Sequence, residues 1–157
     1  MRSKLGDVGP SYFAQSEKLC ENLSRILSQG FTVIDGAVVF TATREIAENV
    51  KAENSPDVTG LECFINHIHV EDQLDDFDPL ALLRQGVAFG LAVRTQLQSA
   101  FPSRAFNVII AETAHSCGVR FHLVRPGEEW LASDLDGCGE EAILVLENVS
   151  AALPPKT

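Results

Sequence analysis

The chain has 157 residues, the length of one ordinary domain, and 45% of them are hydrophobic, enough to build a core. Its 22 acidic against 12 basic side chains leave a formal charge of −10. That sign excludes the clustered Lys and Arg that nucleic acid demands and opposes adsorption to an anionic membrane surface. With 22% charged residues the composition is not that of a disordered chain.

Residues 1–15 read as a leader and residues 150–157 as a frayed tail, on either side of a single domain over 16–149. Arg2 and Lys4 are not followed by the apolar run of a secretory signal, so the sequence predicts a cytoplasmic protein. The four cysteines, Cys20, Cys63, Cys117 and Cys138, form no CxxC pair and are expected as reduced thiols.

From Ser16 the pattern is helical. Leu19, Leu23, Ile26 and Leu27 share a face, Ser16 stands as a cap, and Gly30 sits where a left-handed terminus is expected. Two β-rich runs, 31–34 and 37–40, flank Asp35 and Gly36, the signature of a two-residue hairpin. Residues 43–53 predict a short helix stopped by Pro56, and residues 58–60 a turn. Residues 61–70 are rich in strand formers on both alternate faces and predict a central strand.

Asp78 and Pro79 suit the N-cap and first position of a long helix reaching Phe101. Gly86 and Gly90 inside it predict a close approach by another element. Strands are expected over 105–111, 118–124 and 142–147, with a hairpin turn over 113–118 and a helical turn near 128–135. The fold class is therefore α+β: a mostly antiparallel sheet of five or six strands, with two or three helices packed on one face.

Cys63, His67, His69 and Glu71 would share one face if 61–70 were a strand, and all are zinc-ligand types. The string from His67 to Asp72 resembles, over six residues, the HxHxDH motif of metallo-β-lactamase-like hydrolases. It departs at Glu71 and at Asp72, where the motif has Asp and His, and the chain is too short for that fold. The expectation is no metal and no cofactor, with one histidine at the sheet surface and the other against the long helix. Cys117, with His115 and His122 close in sequence, lacks a nucleophile context and predicts no catalytic residue. Asp134 and Asp136 fall in a loop without the ligand spacing of a calcium site.

The charge is segregated. Residues 62–78 hold six acids and residues 128–147 hold seven, neither with a Lys or Arg, whereas 84–125 holds five arginines and one acid. Phe77 interrupts the first stretch and Trp130, the only tryptophan, the second. Acids around an aromatic anchor suit the binding of a basic protein partner. The sequence thus predicts a small acidic binding module that is not an enzyme, of the immunity or antitoxin type, masking a basic surface such as that of a toxin nuclease. Its contact residues would be Glu71, Asp72, Asp75, Asp76, Phe77, Asp78, Glu128, Glu129, Trp130, Asp134 and Asp136. One alternative is a small-molecule-binding protein or metal-dependent enzyme using a cleft at His67, His69 and Glu71, with Asp72 or Glu112 as further acid or base. Another is a structural homodimer joined through the helix 80–101 at Gly86 and Gly90.

Overall fold

A computed structural model describes residues 18–50, 55, 57–75, 78–131 and 142–148. Helix α1 (Glu21–Ser28) buries Leu23, with Leu19, Ile26 and Leu27 packed beside it, and ends at Gly30 with φ +69°. Ser16 lies outside the described residues. The N-cap position is Cys20, whose N–H donates to the Gln85 Oε1 of the long helix at 2.9 Å. Strands β1 (Phe31–Ile34) and β2 (Ala37–Phe40) pair through Asp35 and Gly36, at φ 49° and 86°. Those positive angles are what a type I′ turn requires. A 3₁₀ turn (Thr41–Thr43) leads into α2 (Arg44–Asn49).

The expected strand over 61–70 is instead helix α3 (Val58–Ile65), followed by a two-residue strand β3 (Ile68–His69). The expected turn at 58–60 is the helix's first turn, and Asp57 caps it by accepting the Gly60 N–H at 2.7 Å. Tertiary demand overrides strand propensity here. Each non-hydrogen-bonded residue of β2 turns its main-chain groups away from β1, and the last residues of β5 have a bare edge beyond β3. A helix places Glu62 and Asn66, four apart, on the one face that meets both edges.

A second 3₁₀ turn (Glu71–Gln73) precedes α4 (Pro79–Ala100), where Asp78 accepts the N–H groups of Leu80 and Ala81 as the cap chemistry predicts. Three long strands follow: β4 (Phe106–Glu112), β5 (Cys117–Leu123) and β6 (Ala142–Asn148). Residues 128–131 carry no helix, and 132–141 lie outside the described residues.

The class is α+β, but the single sheet of five or six strands is divided. The described residues form a two-stranded sheet, β1-β2, and a four-stranded antiparallel sheet in the order β3-β5-β4-β6. The division has a physical cause: α3 stands between β2 and β5 and hydrogen-bonds both. Glu62 accepts the Val38 and Leu123 N–H groups, each at 2.7 Å. Asn66 accepts the Phe40 N–H and donates to the carbonyls of Val38 and Phe121. Side-chain groups of the helix thus stand where strand-to-strand bonds would otherwise be.

Helix α4 covers one face of the four-stranded sheet and shares its core with α1. A methyl group on Gly90 would sit 2.6 Å from Ile110 Cδ1, and one on Gly86 would collide with Cys117 Sγ. The close approach predicted for these glycines is therefore made within the protomer, against β4 and β5, and not at a dimer contact. Phe121 joins the hairpin to this core, meeting Phe31 and Phe40 edge-on at 5.4 and 5.0 Å.

Candidate functional site

Alternation along β5 sets which side chains stand on the sheet face away from α4. Cys117, Val119 and Phe121 enter the core, so Gly118, Arg120 and His122 face the other way. His69 pairs with Gly118, and the ring of His67 crosses the space a Cβ at Gly118 would fill. Both histidines therefore lie on the face away from α4, their ring centroids 4.2 Å apart. The expectation that one packs against the long helix is corrected: Ile68, between them, takes that position.

The chemistry of this cluster is directed inward. Arg120 Nη2 lies 3.0 Å from His67 Nε2, and Arg120 also stacks on the Trp130 ring at 5.5 Å. Burial, the Arg120 charge and His69 together push His67 down to about 4, so it is a neutral acceptor at pH 7. Burial pushes the Glu71 carboxyl up, but the Cys117 N–H, its own N–H and His69 outweigh that and hold it below the usual range. One Glu71 oxygen receives the Cys117 N–H at 3.0 Å and the other lies 3.2 Å from His69 Nδ1. Cys63 is on α3 rather than on a strand shared with the histidines, and burial pushes its thiol up to about 12. The predicted common face of four ligand types does not exist. Among the described residues no three His, Cys, Asp or Glu side chains converge to hold a metal.

The first acidic stretch runs from one end of β5 to the other, with Glu62 bonded to Leu123, its last residue, and to Arg125 just beyond, and Glu71 bonded to Cys117, its first. Glu62 is fully buried against Arg125, Glu71 is bonded to β5, and Asp78 caps α4. Asp72 and Asp75 are exposed. Asp75 and Glu21 border a groove of about 440 Å³ floored by Leu74, Asn22 and Gln73 between α1 and α4. Two bonds build it: Asn22 Nδ2 donates to the Gln73 carbonyl at 3.1 Å, and Gln85 Nε2 to the Lys18 carbonyl at 2.9 Å. Asp76 and Phe77 lie outside the described residues.

The family model of the Uncharacterized protein PM0498 family matches residues 4–152. The chain belongs to that family. No curated protein and no solved structure matches it.

In this PM0498-family chain the second acidic stretch begins at the end of the sheet opposite Glu71. Glu71 reaches Cys117, the first residue of β5, whereas Glu128 follows Leu123, the last. Seven residues of strand, about 20 Å, separate the two ends. Glu128 accepts the Thr59 N–H at 3.0 Å, an interaction that, with the Thr59 hydroxyl, holds its carboxyl below the usual range. Glu129 and Trp130 are exposed, while Asp134 and Asp136 lie outside the described residues. Glu62 shares the Glu128 end but is buried against Arg125, so the exposed acids of the two stretches do not form one combined acidic end among the described residues.

Sequence reasoning passed over Asn107 and weighed His122 only as a neighbour of Cys117; the two face each other across β4 and β5 beside Trp130. The signal available was the alternation of β5, where His122 falls on the polar phase. It carries weight only once the neighbouring strand is known.

Proposed function

We propose that this chain is a binding module for a basic protein partner, of the kind in which an acidic inhibitor covers the cationic groove of a toxin nuclease. The observation that carries the reading is the groove between α1 and α4, where the carboxylates of Glu21 and Asp75 stand beside Leu74 and outnumber the Lys18 that also lines it. Asp72 and Asp78, close to Asp75 in sequence, are exposed as well, Asp78 while capping α4. Rim carboxylates steer a cationic partner, raising association rates by roughly 10- to 1,000-fold, while the floor supplies buried area.

Further support comes from the groups that would otherwise argue for catalysis. Burial pushes the Cys63 and Cys117 thiols up to about 12, which leaves them poor nucleophiles, and Glu71 is bonded through both oxygens. Cys20, Cys63 and Cys117 are free thiols, in keeping with a cytoplasmic location. Among the described residues no helix is long and apolar enough to cross a membrane.

The test is titration calorimetry against the product of a neighbouring reading frame, chosen for a basic composition. A complex is expected that weakens steeply with salt and weakens again in the triple variant Asp72→Asn, Asp75→Asn, Asp78→Asn, where Asn preserves the α4 cap. Absence of a complex, or affinity indifferent to salt and to the triple variant, overturns the reading.

A further inference from the structure

At the far end of the sheet from that groove lies a cavity of about 390 Å³, walled by Asn107, His122, Val124, Glu128, Glu129 and Trp130. His122 is 5% exposed. Its Nδ1 lies 3.0 Å from the Leu123 carbonyl, which accepts only, so in the neutral ring Nδ1 carries the proton and Nε2 is a lone-pair acceptor. No group among the described residues bonds Nε2. The Asn107 amide, its cross-strand neighbour, is likewise without a protein partner among them. Glu128 is held by the Thr59 hydroxyl and N–H, which leaves further lone pairs on its carboxylate. Arg125 also borders the cavity, but Glu62 holds both its Nη groups and its charge is met there.

We infer that this cavity binds the guanidinium group of an arginine. The open polar atoms, His122 Nε2, the Asn107 carbonyl oxygen and the Glu128 and Glu129 carboxylates, are acceptors, and a guanidinium offers five donors and no acceptor. Arg120 already lies over the Trp130 ring at 5.5 Å, so the ring's other face is the one a ligand cation would use, and half-exposed Val124 offers a surface for the aliphatic stem. An anionic ligand would meet two carboxylates. This inference goes beyond the proposed groove contact and stands apart from it, since no residue is shared.

Trp130, the only tryptophan, is a built-in reporter. Its fluorescence is titrated with N-acetyl-argininamide, free L-arginine, N-acetyl-lysinamide and the neutral isostere N-acetyl-citrullinamide. Saturable change with an arginine probe is expected, the tighter of the two arginine probes telling whether a polypeptide side chain or the free amino acid is the source. Glu128→Gln, which retains an oxygen for Thr59, and His122→Ala should each weaken it by about tenfold. The triple aspartate variant at 72, 75 and 78 should leave the titration unchanged, so failure of the groove reading and failure of this one are separable. No saturation by either arginine probe, equal binding of the lysine or citrulline analogue, or indifference to both cavity variants overturns the assignment.

Discussion

Arg125 grips Glu62 with both Nη groups, at 2.7 and 2.8 Å, and the carboxylate it grips is fully buried. The same two oxygens receive the Val38 and Leu123 N–H groups. Arg125 also donates to the Gly36 carbonyl at 3.1 Å, inside the hairpin turn. The pair thus ties the hairpin, α3 and the end of β5 at one point.

Removing the cation strands the anion. Arg125→Ala is expected to destabilise the domain by about 3–5 kcal/mol, because a buried carboxylate loses its counter-charge. Urea unfolding followed by far-UV circular dichroism measures this, and a loss below about 1 kcal/mol would show that water replaces the guanidinium.

Asn66→Ala removes three bonds to main-chain groups of β2 and β5. Orphaning buried peptide groups costs about 1–3 kcal/mol apiece before relaxation. A total near 3 kcal/mol is expected in the same unfolding experiment. Hydrogen exchange should quicken selectively at the Phe40 N–H.

Gly118 admits the His67 ring against β5. Gly118→Ala is expected to cost about 1–3 kcal/mol through overpacking. Combining it with His67→Ala should recover part of that loss. A double-mutant cycle measures the coupling, and strict additivity would place the strain elsewhere.

Because His67 is held near 4 in the folded chain against 6.5 when free, the unfolded state binds the extra proton between those values. Stability is therefore full above pH 6.5 and falls as pH drops toward 4. A fully shielded shift of this size would carry roughly 3 kcal/mol. Partial solvent exposure of the ring reduces the expected loss to about 1–2 kcal/mol. His67→Gln should flatten the profile in that window. The further decline from Glu71, whose folded value is also depressed, begins below 4.5 and remains.

Thiol labelling should separate the cysteines. In a Cys138→Ser variant at pH 8, half-buried Cys20 is expected to react with Ellman's reagent well before Cys63 and Cys117, whose thiols burial pushes up to about 12. Equal rates for all three would show that the core opens faster than the reagent reacts.

The elements written in short-range chemistry were legible without a structure. Asp35 and Gly36 announced their turn, Asp78 and Pro79 the start of α4, and Gly30 the end of α1. Strands β4, β5 and β6 came within one residue of their ends, because alternating apolar positions survive any context. The misread segment was 58–65. Cys63, Phe64 and Ile65 carry strand propensity, and Phe64 is 63% exposed on the finished helix. Nothing local says that Glu62 and Asn66 must reach two strand edges.

Sequence alone determined the acidic excess, the α+β class, the turn at Asp35 and Gly36 and the Asp78 cap, since each follows from composition or from residues a few positions apart. Only the tertiary structure decided which charges are at liberty. Glu62, Glu71, Asp78 and Glu128 are indistinguishable in the sequence from Asp72 and Asp75, yet each is bound to a main-chain N–H. A carboxylate's availability depends on which peptide groups folding leaves beside it, and those groups come from 2 to 69 positions away along the chain.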